Sequence, residues 1–330
     1  MFSVVRPIKN HIKRLIKKNY PFLNPLYSFY LWKIKGDVGC IFCLHRVGTK
    51  NALNLPPNEN MKISPLFLDK LIKEYQRRNI DIISLDELYS IFNNDNGKPQ
   101  RPFVCFTLDD GYVDNYTEAY EVFKRNNVPF TIYIASDFPD GKAFLWWYCL
   151  EDIIQANDVL RLSDGKVYNT ASSQEKIDTF MAIRRQLLSI SSSELEAYFD
   201  NIFSNYEYDK YKYVKKESLS WNQIEELAKD SLCTIAGHSV SHPAFNQLTE
   251  SAFYDEVKIG CDRLATHINK PIAHFAYPYG TINEVGEREH KLMRKLGFKT
   301  VAITDPYCIK GKNMDLLKLP RIMLVEDKQI

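Results

Sequence analysis

FVCFTLDDGYVDNY, residues 103–116, is an apolar, β-rich run that ends on two adjacent carboxylates and a glycine. The first six residues read as a strand, and Asp109-Asp110-Gly111 stands where that strand should stop. Two neighbouring anions repel, so they separate into water or share a cation. Nothing basic adjoins them, so the rest of the chain must supply that cation or its ligands.

Runs of the same kind recur at VGCIFCLH (38–45), FTIYIA (130–135), LCTIAG (232–237), IAHFAY (272–277) and KTVAIT (299–304). Helical patterns lie between most of them, at FLDKLIKEYQRR (67–78), YTEAYEVFKRN (116–126) and SAFYDEVKIGCDRLATHI (251–268). This alternation predicts an α/β fold, a parallel sheet or barrel with helices outside and its chemistry at the carboxyl ends of the strands. The pattern changes from about 140 to 231, where FLWWYCLEDII, EKIDTFMAIRRQLLSI and SELEAYFDNIF read as helices with no strand between them. This stretch is expected to be a helical insertion lying on the barrel. Its Trp146 and Trp147 fit either a substrate-cleft wall or a packing anchor. The clearest loop is NNDNGKPQRP, 93–102.

A formal charge of +2 gives little support for nucleic-acid binding. Positive charge collects instead in residues 1–20, where Ile8, Ile12, Leu15 and Ile16 keep helical spacing among Lys9, Lys13, Arg14, Lys17 and Lys18. Residues 1–36 are therefore expected to form a basic amphipathic segment ahead of a barrel at 37–330. The segment fits either peripheral contact with an anionic membrane or packing on the domain. It lacks the pattern of a signal peptide, and no stretch approaches the ~20 apolar residues of a membrane span. The expected location is cytoplasmic, on the inner face of the membrane. Seven cysteines, mostly in apolar runs, read as small buried hydrophobes of a reducing compartment. Cys40 and Cys43 have CxxC spacing, but no second pair stands at zinc-site spacing.

GHSVSHPAF, 237–245, follows a predicted strand and carries His238 and His242 four residues apart, so both imidazoles can converge on one ion if the segment turns once. Either motif alone is weak. Together, one acidic and one imidazole-rich, each at the end of a strand, they fit a facial His, His, Asp metal site with positions open to water and substrate. In FAYPYG, 275–280, Pro278 fixes the backbone and Gly280 allows close approach, so the Tyr279 backbone N–H could face an oxyanion.

The motifs FTLDDG, HSxxHP and YPYG, in this order, resemble those of the polysaccharide deacetylases, the NodB-homology group of carbohydrate esterases, over roughly residues 38–325. The resemblance implies a deformed (β/α) barrel that removes N-acetyl, occasionally N-formyl or O-acetyl, groups from sugars. The implied cofactor is a divalent metal, commonly Zn2+, with Ni2+ or Co2+ as alternatives. Carried over by motif, Asp109 is the general base, while Asp110, His238 and His242 are the metal ligands. Two family elements are missing. A late Leu-x-His strand usually supplies the general acid, but no histidine follows His290. The early strand IFCLHRV is similar to it, which makes His45 the candidate acid. The arginine that usually precedes the PY motif is absent from HFAYPYG, and Arg321 in LPRI is the candidate replacement. The expected substrate is an N-acetylated amino sugar of a surface glycan, or its lipid-linked or nucleotide-linked precursor. A sugar deformylase or O-deacetylase would use the same residues. A catalytically silent glycan-binding protein is the alternative of another class.

Overall fold

The computed structural model describes residues 28, 30–93, 97–311 and 314–326. The amphipathic pattern of residues 8–18 and residues 94–96 of the expected loop lie outside them. The backbone follows the predicted alternation. Strands β1 (Asp37–Leu44), β2 (Phe103–Leu108), β3 (Phe130–Ile134), β4 (Cys233–Gly237), β5 (His274–Ala276) and β6 (Thr300–Ala302) pair side by side in this order, all parallel. The final run LLKLPRIMLV forms a strand of only two residues, β7 (Ile322–Met323), which lie parallel to Phe42 and Cys43 of β1. Proline explains the brevity, because Pro320 has no N–H to give a ladder. Leu319 bridges to Ala302 of β6, so residues 319–324 join β6 to β1, the two ends of the curled run of six parallel strands, into a deformed (β/α) barrel.

Helices α1 (Pro65–Arg77) and α2 (Leu85–Phe92) link β1 to β2, and α3 (Tyr120–Asn126) links β2 to β3. The insertion between β3 and β4 carries α4 (Trp146–Ala156), α5 (Ser173–Leu187), α6 (Ser192–Ile202), α7 (Lys212–Glu217) and α8 (Trp221–Leu227). Helices α9 (Glu250–Ile268) and α10 (Glu287–Met293) complete the circuit. Among the described residues no helix is long and apolar enough to cross a membrane. One expectation fails inside the insertion, since a two-stranded hairpin, Val159–Arg161 with Val167–Asn169, separates α4 from α5. The cause is local. Gly165 takes φ +85° in the Ser163-Asp164-Gly165 turn, closed by the Leu162 N–H to Lys166 carbonyl bond, and no helix continues through that conformation.

Strand periodicity decides what faces inward. Outward residues Cys40, Phe42, Leu44, Val104 and Phe106 pack with Leu68, Leu71, Ile72 and Tyr75 of α1 in the main core. Inward residues Ile41, Phe103, Cys105, Tyr133, Ala236, Ala276, Ala302 and Leu319 form a separate core inside the barrel. Its narrow space demands small partners. A Cβ on Gly39 would stand 2.5 Å from the Phe103 ring. All seven cysteines are unpaired, and all but Cys308 are buried. The insertion has its own apolar core, in which Trp146, Phe180, Ile183 and Phe199 are buried.

Candidate active site

Two steps beyond the inward residues Cys43 and Thr107 stand His45 and Asp109, at the carboxyl ends of β1 and β2. Two beyond Ala236 stands His238, and two beyond Leu319 stands Arg321. The alternation that fills the barrel therefore carries these four side chains to its mouth. His45, Asp109 and His238 border one cavity of about 450 Å³, together with Asp110, His242 and Tyr279, and Arg321 lies beneath it, reaching Asp109.

Asp110 and Asp109 have different surroundings despite being adjacent. Asp110 Oδ1 lies 3.3 Å from His238 Nε2 and 3.2 Å from His242 Nε2, and all three residues are almost wholly enclosed. Burial disfavours the Asp110 carboxylate, yet the two imidazoles, His242 foremost, hold its pKa far below the usual range. His238 Nδ1 donates to the Ala276 carbonyl at 2.8 Å, which fixes the tautomer and leaves the Nε2 lone pair facing Asp110. Neither Asp110 Oδ1 nor His238 Nε2 has a hydrogen-bond partner among the described residues. Two donors on a tetrahedral ion with bonds of ~2.0–2.1 Å stand about 3.3 Å apart, the spacing seen here, so the three residues fit a divalent metal such as zinc.

The loops bend sharply to achieve this. Asp110, Ser239, His242 and Tyr279 all have left-handed backbones, with φ of +76°, +73°, +63° and +59°. Such conformations are disfavoured for side chains with a Cβ and persist only where the surroundings enforce them. The expected single turn between the two histidines is thus a strained loop, held by Glu256 of α9, whose carboxylate accepts from the Val240 and Ser241 N–H groups at 2.8 and 3.0 Å. Helix α9 also approaches closely at Gly260, where a Cβ would fall 2.7 Å from the Ser239 carbonyl oxygen. Gly260→Ala is expected to push this loop out, with a stability loss of about 1–3 kcal/mol and a fall in metal affinity of roughly 10–100-fold. Thermal melts and metal titration would check this, and unchanged metal affinity would show that α9 does not position the loop.

Asp109 faces the cavity held from behind. Arg321 is fully buried and grips it with two hydrogen bonds of 2.6 and 2.7 Å, while Cys43 Sγ lies 3.3 Å from Oδ2. Burial opposes the charge on Asp109, but Arg321 outweighs it and keeps the pKa below the ordinary carboxylate value. Arg321 is itself fixed by Thr107 Oγ1 and the Ile303 carbonyl, and its guanidinium carbon is 5.2 Å from the centre of the Tyr133 ring. His45 stands beside this carboxylate, one of its ring nitrogens lying within 4.8 Å of ligand atoms of Asp109 and Cys43. Burial pushes the His45 imidazole down, against the pull of Asp110 and Asp109. The Tyr279 backbone N–H makes no hydrogen bond among the described residues, and the Tyr279 ring packs edge-on against His242 with centroids 4.7 Å apart.

Motif reading missed Arg46. It is buried and donates to Asp114 at 2.6 Å, to Tyr148 Oη at 2.9 Å and to Glu217 at 2.5 Å, tying the end of β1 to the insertion. Its place beside His45 and the third aspartate of DDGYVD were visible hints, whereas Glu217 is distant in sequence. Asn115 was missed as well; it donates to the His45 carbonyl at 2.9 Å from the start of a π-helical turn, Asn115–Ala119. Both tryptophan readings hold together, since Trp146 is buried in the insertion core and both rings border the cavity.

Comparison with known proteins agrees with the motifs. Residues 171–301 match the family described as polysaccharide deacetylase. That span includes both histidines and the YPYG turn and stops short of Asp109 and Asp110. The chain is similar in fold to Streptococcus pyogenes deacetylase PplD, solved in complex with acetate, at 16% identity and TM-score 0.57 over 87% of this chain and 92% of that one. It is also similar to IcaB from Ammonifex degensii, at 17% identity and TM-score 0.55 over 88% and 93%. A de-N-acetylase from Aggregatibacter actinomycetemcomitans aligns at 13% identity and TM-score 0.51 over 87% and 95%. No curated protein sequence matches. The resemblance to polysaccharide deacetylases therefore rests on motifs, on the family match and on the barrel.

Proposed function

We propose that this protein is a metal-dependent hydrolase that removes the N-acetyl group from an amino sugar of a glycan or glycan precursor. One juxtaposition carries the reading: a buried His, His, Asp cluster adjoins a second carboxylate that an arginine holds charged. A divalent ion held by Asp110, His238 and His242 would supply Lewis acidity, making the acyl carbon more electrophilic and bound water more acidic. Asp109 takes the proton of the attacking water. Arg321 occupies one direction on each of its oxygens, and a carboxylate has further lone pairs free to accept. The Tyr279 N–H is an unengaged donor for the negative charge that develops on the acyl oxygen. His45 rests neutral at pH 7 because burial disfavours its charged form, so it becomes an acid by accepting the water proton that Asp109 has taken up. It then delivers that proton to the departing amine, which leaves poorly as an anion.

Release of acetate and formate from a panel of N-acylated amino sugars, with and without a chelator, tests the reading. Acetate release that a chelator abolishes and divalent metal restores is expected. Formate in its place would make the protein a deformylase. Glycan binding with neither acid released under any metal would make it a silent binding protein. His45→Gln should slow amide hydrolysis by ~10²–10⁴-fold and hardly affect an aryl acetate, whose phenolate leaves without a proton. Equal slowing of both substrates would remove His45 as the acid.

A further inference from the structure

Of the charged side chains that border the cavity, Asp109 is paired with Arg321 and Arg46 with Asp114 and Glu217, while Asp110 points at the two imidazoles that would share its metal. Arg184 borders the same cavity, half-buried, and among the described residues no carboxylate lies within 4.0 Å of it. Its neighbour is a ring. The guanidinium carbon lies 5.9 Å from the centre of Tyr279, whose ring packs on His242, so the free cation stands one aromatic ring away from the metal cluster. Helix α5 brings it there. Phe180, one turn earlier on that face, and Met181 border the same cavity, so the cation belongs to the insertion and not to the barrel.

A half-buried cation that borders a cavity with no protein anion beside it is available to an anion that enters, and a neighbouring ring satisfies its charge only weakly. A guanidinium offers a planar fork that suits the paired oxygens of a phosphate or carboxylate. Resting on the reading of this cavity as an acylamino-sugar site, we propose that Arg184 binds an oxyanion carried by the saccharide itself, so the substrate is an anionic amino sugar and not a neutral stretch of glycan. The insertion then selects the substrate by charge, while the barrel mouth performs the hydrolysis.

Calorimetric titration of the metal-loaded full chain with N-acetylglucosamine, N-acetylglucosamine 1-phosphate, N-acetylmuramic acid and inorganic phosphate tests this without requiring turnover. At least tenfold tighter binding of one of the two anionic sugars than of the neutral sugar or free phosphate is expected. Which of the two binds better tells a phosphate from a carboxylate. Arg184→Gln should abolish the preference and leave the neutral sugar unchanged, and Arg184→Lys should restore part of it. Four outcomes would overturn the proposal: equal binding of neutral and anionic sugars, no binding of any sugar, free phosphate binding as tightly as the anionic sugars, or a preference that survives Arg184→Gln. Equal weakening of all ligands in both variants would mark Arg184 as structural and overturn it too. Failure of the hydrolysis assay with the charge preference intact would instead remove the proposed reaction and keep the anion site.

Discussion

Asp110→Asn is expected to purify without bound metal and without measurable acetate release, while Asp109→Asn, one residue earlier, keeps its metal and loses ~10²–10⁴-fold in rate. The contrast follows from what each carboxylate faces. Asp110 Oδ1 lies against both imidazole nitrogens, so removing its charge would take away the anionic ligand of the ion these residues would hold. Asparagine is the right probe, because Asp110 sits at φ +76° and asparagine tolerates that backbone better than alanine does. Asp109 is turned toward Arg321 and Cys43, and its loss leaves the cluster intact. Metal content by elemental analysis, read beside acetate release, decides the matter. Full metal in Asp110→Asn, or an empty site in Asp109→Asn, would reverse the assignment of the two residues.

The strand β2 was legible residue for residue in FVCFTL because all six side chains are buried and the run has no competing helical period. Once the strands were placed, their two-residue repeat and the DDG and HSxxHP endings located Asp109, Asp110 and His238 at one rim. What stayed hidden depends on approach between distant segments. The left-handed turn that returns His242 to His238 is enforced by Glu256 and by the gap at Gly260, and neither reads as special inside the helical pattern of α9. Arg184 likewise reads as one more charge on an amphipathic helix until the insertion folds over the cavity. The hairpin at 159–169 is a different kind of omission, because the Ser-Asp-Gly turn was visible and its flanking strands have only three residues each. Arg321 was placed by motif comparison alone. No local pattern announces that a chain end will supply the buried partner of an aspartate 212 positions away.

That pairing has a thermodynamic signature of its own. Arg321→Met leaves Asp109 buried without its partner, and breaking such a pair costs about 3–5 kcal/mol. Asp109→Asn strands the guanidinium instead and should cost a comparable amount. The double variant removes both charges, so it should recover at least ~2 kcal/mol relative to the sum of the single losses. The effect of pH has a definite sign. In the native protein the Asp109 pKa is depressed, so its contribution is complete above the unfolded value of about 4 and fades as pH falls below it. In Arg321→Met burial loses its main opponent and raises the pKa, so the folded state binds the extra proton and the deficit grows as pH rises from ~4 through the raised value. Urea unfolding of the four proteins at pH 5 and pH 8 measures both effects. Additive losses within ~0.5 kcal/mol, with no change in the Arg321→Met deficit between the two pH values, would mean that the closing segment holds the barrel together without its charge pair.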